Sequence, residues 1–215
     1  MIYIFLALWL ATGAATFFAR SRRAVHLLCA LHMGIHALFA ARLLFGGAFL
    51  ATSGAFFTFD EAGTVFYILM IVVAAFVFLH SQEYLRDDGI AAYRTYFALL
   101  ITAITGVYFA NNIAVTWILL ETTTLCGAGI IYHRHSEAAL EATWKYLFVC
   151  STGIAIAYLG ILLLSAAASN RSLDYSELQW LIAEGNPLYL KTAFLLILTG
   201  YSCKMEIFPL YTIGV

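Results

Sequence analysis

Apolar stretches the length of a membrane-crossing helix follow one another along most of the chain, separated by short polar breaks. They run over about 2–19, 24–47, 63–80, 93–110, 113–132, 145–168 and 189–213. A helix crosses the hydrocarbon core with ~20 mostly apolar residues, so the pattern predicts seven spans. The runs lack the ~10-residue apolar/polar alternation of an outer-membrane barrel, and lipid admits only structures that close their own backbone hydrogen bonds. The predicted fold class is therefore all-α, a polytopic transmembrane helix bundle of about seven spans. Between spans six and seven, Leu173-Asp174-Tyr-Ser-Glu177-Leu178 has the form of a hydrophobic staple around a capping-box-like start, and Gly185 with Pro187 marks an end. This predicts a short helix on the outer surface, with Leu178, Leu181 and Ile182 on one face docking at the interface and bracing the bundle.

Composition agrees with the pattern: 63% hydrophobic residues, 11% charged residues and a mean hydropathy of +0.90 exclude an ordinary soluble domain. The lipid bilayer is thus a partner. Met1-Ile-Tyr-Ile-Phe has no basic region before its apolar run, so the first run reads as an uncleaved span and not as a signal peptide. With alternating topology, the loops after spans one, three and five collect Arg20, Arg22, Arg23, Arg86, Arg94, Arg134 and, at the helix edge, Lys145. The other side has Arg171 and Lys191. The positive-inside bias puts the three basic loops in the cytoplasm and the N-terminus outside.

A net charge of −1, with arginines spread over loop ends, gives no basic stripe and argues against nucleic acid as a partner. Cys29, Cys126, Cys150 and Cys203 fall inside spans without CxxC spacing, so they read as small packing residues and suggest neither metal nor disulfide.

Against this apolar background a few ionisable residues stand out. Glu121 sits about halfway along the fifth run, where a charge costs roughly 2.5–3.5 kcal/mol on insertion scales and normally meets a partner inside the bundle. Lys204, in the seventh run, is the candidate partner. At ~4 Å and an effective dielectric near ~20 their attraction is about 4 kcal/mol, and a change in separation becomes a proton movement. The pair reads either as a proton relay or as two fixed charges compensating each other. Lys145 opens the sixth run four residues after Glu141, an ordinary (i, i+4) pair at a membrane edge. Pro209 follows Lys204 by five residues and is a possible helix break, either a simple kink or the broken helix of a transporter ion site. His26, His32 and His36 on span two and His80 at the end of span three raise a remote alternative, a membrane b-type haem. However, His26 and His80 lie at helix ends, and His32 and His36 share one helix. No other cofactor is suggested. Arg42, late in span two, reads as snorkelling to the outer interface.

From Tyr96-Phe-Ala-Leu-Leu through Asn111-Asn112, Trp117, Glu121-Thr-Thr-Thr-Leu, Ser136 and Leu140-Glu141-Ala142-Thr-Trp144-Lys145-Tyr146 to Gly153, the chain resembles antiporter-like subunits of the hydrogenase-4 component F type. This family is shared by complex I, formate hydrogenlyase-type hydrogenases and multisubunit cation/proton antiporters. Phe59-Asp60-Glu61-Ala62-Gly63 is similar to its motif before the third helix, and Gly200-Tyr-Ser-Cys-Lys204-Met-Glu-Ile-Phe208-Pro209-Leu210 to its seventh-helix motif. The resemblance implies that Glu121, Lys204 and Lys145 are the family's proton-translocating residues, gating protons along a hydrated axis with the redox chemistry elsewhere. It implies no redox centre in this chain, and as partners the other membrane and peripheral subunits of a hydrogenase-like or complex I-like assembly. The implied location is multi-pass, in a prokaryotic inner (cytoplasmic) membrane.

The resemblance also divides the chain. Residues 1–92 form an N-terminal three-helix segment, and 93–215 form the first part of the antiporter-like repeat, truncated after the seventh helix. Glu206 stands where the family has a small residue, Tyr211 where it has a histidine, and Thr212-Ile-Gly-Val215 replaces its following motif. The family continues through an eighth-helix lysine and a second inverted repeat, so the fold is expected to be incomplete. That favours, as the second functional reading, a structural or assembly half-subunit that moves no ions.

Overall fold

The computed structural model describes residues 2–19, 21–45, 56–84, 90–168 and 172–205. Arg20, Arg86, Arg171, Glu206, Pro209 and Tyr211 lie outside these residues. The helices are α1 (Ile2–Phe18), α2 (Arg22–Phe45), α3 (Glu61–Tyr84), α4 (Ile90–Phe109), α5 (Ile113–Ile131), α6 (Glu137–Ala167), α7 (Tyr175–Glu184) and α8 (Pro187–Lys204). Among the described residues no strand forms beyond two isolated bridges. Over the described residues, each of the seven predicted runs holds a helix. The α2, α3 and α6 helices, together with α5 and its 3-10 extension, are long and apolar enough to cross a membrane; α1 is a shorter apolar helix of 17 residues. The remaining two runs form α4 with 20 residues and α8 with 18.

Polar residues at the breaks set the helix ends. Asn112 opens α5 by accepting hydrogen bonds from the amides of Ala114 (3.0 Å) and Val115 (3.4 Å). Ser136 opens α6 by accepting from Ala139 at 3.1 Å, directly after His135 turns the chain through a left-handed φ of 49°. The α6 helix begins eight residues before the predicted span. At ~1.5 Å per residue its 31 residues are ~46 Å long, well over the ~30 Å hydrocarbon core. Lys145 therefore lies two turns inside the helix and does not open it.

The predicted surface helix is α7, with two corrections. Asp174 occupies the N-cap position without making a cap hydrogen bond, because its carboxylate accepts from Asn112 Nδ2 at 2.8 Å. Pro187 does not end α7; it is the first residue of α8, where a missing N–H costs nothing, behind Asn186 as the cap. Backbone bonds from Ile113 to Leu173 (3.1 Å) and from Tyr175 to Asn111 (2.9 Å), with a Tyr175–Thr116 hydroxyl contact at 2.9 Å, tie α7 to the start of α5. Of the three residues expected on its docking face, Leu181 is buried and Leu178 half-buried, while the Ile182 side chain lies outside the description.

The main aromatic core fills the space between α1, α2, α3 and α4, where Trp9, Phe39, Tyr67 and Phe109 are fully buried. Leu27, Leu31, Phe66, Leu69 and Phe76 stay outward, as expected of helices that are apolar all round. Arg94, expected in a basic loop, lies instead on α4 and is completely buried, with Nη1 2.6 Å from His26 Nδ1 and Nη2 donating to Gln82 at 3.0 Å. The loop assignment failed because three helix ends converge on its guanidinium. Arg42 is exposed in the last turn of α2. All four cysteines are free thiols, three of them buried.

The closest helix pairing is α6 on α8, and small residues make it possible. A Cβ on Gly153 would meet Gly200 O at 2.8 Å, and one on Gly160 would meet Ala193 O at 2.8 Å. On Gly200 it would run into the Gly153 carbonyl and the Ala157 amide. Backbones this near one another are the small-residue packing of membrane helices. Gly200→Leu is expected to pry α8 from α6 and to cost about 1–3 kcal/mol or more by overpacking. Thermal unfolding in detergent reads this as a lowered midpoint, and an unchanged midpoint would mean that the contact carries no stability.

Candidate functional site

The α5, α6 and α8 helices bring the polar residues of the later spans together. Trp117 fixes the α5–α6 register by donating Nε1–H to the Ile154 carbonyl at 2.9 Å and packing on Tyr158 with centroids 4.6 Å apart. One turn further along α5, Glu121 faces α6 and its Oε1 accepts from Ser151 Oγ at 3.3 Å. Its Oε2 is buried and has no hydrogen-bond partner among the described residues. The three threonines that follow donate to carbonyls of their own helix, those of Ile118 and Leu120. The Thr124 hydroxyl thereby keeps its lone pairs available for another donor.

That donor is Lys204, the last residue of α8. Its Nζ donates to Thr124 Oγ1 at 2.7 Å and to the Tyr146 hydroxyl at 3.3 Å, and lies 5.6 Å from the Tyr146 ring centroid. The hydroxyl of Tyr146 can occupy this position because residue 127 is glycine: a Cβ there would meet it at 2.7 Å. Lys204 and Tyr146 line a cleft of about 400 Å³ whose other walls include Leu120, Thr123 and Gly127 of α5 and Tyr108 of α4.

The expected direct contact between Glu121 and Lys204 is not made. Each has hydroxyl partners of its own, and no ion pair joins them, although Glu121 lies within electrostatic reach of both Lys204 and Tyr146. Lys145 stands apart from this cluster. Its Nζ is 2.6 Å from Glu141 Oε1, and with side chains 66% and 68% exposed the pair belongs to the outer surface of α6. Sequence reasoning missed Ser151, Thr124 and Tyr146 as partners. The last two lie inside motifs that singled out their charged neighbours, whereas Ser151 carried no such signal.

His32 and His36 are buried between α1, α2 and α3, with Nδ1 atoms 2.8 Å from Thr12 Oγ1 and 3.1 Å from the Tyr67 hydroxyl. They sit one turn apart on one helix, which cannot place them on opposite sides of one iron. His26 is engaged by Arg94 at the helix ends. Among the described residues no group of three or more His, Cys, Asp or Glu could hold a metal ion.

No family model matches the chain. Among curated proteins it is similar to a hydrogenase-4 component F homolog of Methylacidiphilum infernorum, 27% identical over 173 residues, covering 74% of this chain and 36% of the relative. It is also similar to Na+/H+ antiporter subunit A1 of Staphylococcus aureus, 25% identical over 154 residues, covering 71% of this chain and 19% of that protein. The chain thus spans little more than a third of the first relative and a fifth of the second. In three dimensions it superimposes on a chain of the membrane-bound sulfane sulfur reductase, an archaeal respiratory membrane complex, with a TM-score of 0.81 at 19% identity. That match covers 97% of this chain and 46% of the other. Over the shared stretch the chain is an antiporter-like, multi-pass membrane subunit whose relatives work in multisubunit complexes.

Proposed function

We propose that this antiporter-like subunit contributes to proton or cation translocation in a hydrogenase-4-like or complex I-like energy-converting complex, using Glu121 and Lys204. It holds no redox centre and takes its driving force from neighbouring subunits. The observation that carries the reading is the Lys204 ammonium in an open cleft, held among the described residues by two neutral hydroxyls and by no carboxylate, while a buried oxygen of Glu121 lacks a partner among those residues. A fixed compensating pair would bring the opposite charges into contact. Here they stand apart, with Glu121 within electrostatic reach of Lys204. Tyr146 and Thr124 can accept a proton's hydrogen bond without competing for the charge.

Lys145 enters this proposal at the surface. Its exposure and its pairing with Glu141 support a peripheral part in proton translocation, away from the Lys204 cleft. An exposed pair of this kind is screened by solvent and contributes little, so Lys145→Ala should leave thermal stability unchanged. Proton flux through the assembled complex should stay within roughly twofold of the wild type. A tenfold loss would make Lys145 an obligatory carrier.

The test of the whole reading is purification of the native assembly in mild detergent, followed by proton uptake in proteoliposomes driven by the complex's own electron donor. Recovery with a nickel–iron hydrogenase-like or complex I-like peripheral arm, together with uptake, is expected. Recovery of the chain alone, or of an assembly that turns over without uptake, would leave it a structural half-subunit.

A further inference from the structure

Thr124 and Tyr146 hold the Lys204 ammonium from two different helices, and a third residue decides whether the second of them can reach it. Glu121, Thr124 and Gly127 follow one another at three-residue steps along α5 and so share one face of it. Thr124 Oγ1 accepts from Lys204 Nζ at 2.7 Å, which seats the ammonium against α5. One turn further on, the Tyr146 hydroxyl from α6 rests where a side chain at 127 would begin. A Cβ there would meet its Oη at 2.7 Å, its Cζ at 3.2 Å and its Cε1 at 3.4 Å. Glycine has no side chain to offer Lys204, and what it contributes is the room it leaves.

Helix packing alone does not account for this glycine. At Gly153, Gly160 and Gly200 a Cβ would meet backbone of the partner helix, whereas at Gly127 its three nearest neighbours all belong to the hydroxyl end of Tyr146. The two contacts that hold Lys204 also differ in strength. The Thr124 contact is short, while the Tyr146 contact, at 3.3 Å, is close to the length at which a hydrogen bond ceases. A side chain at 127 displaces the phenol hydroxyl, which is the free end of its side chain and gives way before the backbone does. Because Thr124 seats Lys204 on α5, a hydroxyl driven off α5 is driven off Lys204 as well. Each hydroxyl that accepts from the ammonium favours its charged form, so losing one makes the proton easier to release.

We propose that Gly127 is a positioning residue: by leaving room for the Tyr146 hydroxyl, it sets how firmly Lys204 holds its proton. The seating of the ammonium is the same whether or not Lys204 moves protons, and its consequence for flux rests on the reading of Lys204 as a carrier.

The experiment reads the protonation of Lys204 and not flux, so its failure and a failure of the translocation reading are distinguishable. The native complex in lipid vesicles is treated with acetic anhydride over a range of pH, since only a neutral amine is acetylated. Peptide mass spectrometry measures modification of Lys204 against the exposed Lys191 of the same chain. At neutral pH Tyr146→Phe, which keeps the ring and removes the hydroxyl, is expected to raise Lys204 modification roughly tenfold, the equivalent of a weak hydrogen bond to a charged group. Gly127→Ala is expected to raise it to a similar extent, and the double variant no further, because one contact cannot be lost twice. The curves should be displaced along the pH axis and meet at alkaline pH. Curves that differ by a constant factor throughout would mean altered access of the reagent and would overturn the proposal. Wild-type behaviour of Gly127→Ala would overturn it too, as would a double variant whose effect is the product of the single ones, or Lys204 that reacts alike in every protein, whether fully or not at all. If Gly127→Ala prevents assembly, adding Tyr146→Phe should restore it, because the hydroxyl is the atom in the way. Failure of the double variant as well would make Gly127 a packing residue only.

Discussion

Glu121→Gln is expected to lower proton translocation by the assembled complex about tenfold or more, equivalent to ~1.4 kcal/mol of barrier, while the complex still assembles. The substitution is nearly isosteric. The amide oxygen can still accept from Ser151, which now bonds the carboxylate at 3.3 Å, and Trp117 continues to fix α5 against α6. What disappears is the ability to carry a negative charge and to bind and release a proton beside the Lys204 cleft. The carboxylate oxygen that now lacks a partner becomes an amide nitrogen in the same buried position, so some loss of stability accompanies the change. Native gels and flux measurements on the same preparation separate the two effects. Unchanged flux in an intact complex would end the relay role of Glu121 and leave the structural half-subunit as the better reading.

Lys204→Ala is expected to reduce translocation at least as strongly. It removes the ammonium that Thr124 and Tyr146 hold at 2.7 and 3.3 Å and leaves two hydroxyls facing the cleft. Those hydroxyls can turn to water, and a buried charge is often neutral or costly to stability, so the fold should survive better than the flux. Lys204→Arg sharpens the test, because a guanidinium keeps the positive charge and does not release its proton at physiological pH. If lysine is a proton carrier, both variants lose flux. An Arg variant that pumps normally beside an inactive Ala variant would make Lys204 a source of fixed field only. Wild-type pumping in the Ala variant would return it to the role of a compensating charge.

Much of the fold was legible because helix formation in a bilayer is a local property of length and polarity. Over the described residues each apolar run holds a helix, and the breaks supplied caps, as Asn112, Ser136 and Asn186 show. The short helix on the surface was legible from its turn chemistry, although the roles within it were not. Asp174 follows Asn112 instead of its own amides, a choice that depends on the neighbouring loop lying 2.8 Å away. Arg94 shows the same limit from the other direction. Its position near a run boundary made it a loop cation, and convergence of α2 and α3 on α4 made it a buried one.

The candidate site divides along the same line. Sequence by itself determined that Glu121 and Lys204 are exceptional, since a charge in an apolar run is costly wherever the run is placed. It also determined that Lys145 has Glu141 as its partner, because four residues on a helix are one turn. Only the tertiary structure decided that Lys204 meets Thr124 and Tyr146, that Glu121 meets Ser151, and that His36 lies against Trp9. Those partners sit on different helices, and which residues face one another is fixed by interhelix register. For α8 that register is set by backbone contact at Gly153, Gly160 and Gly200, a property of two helices at once that hydropathy along one chain does not encode.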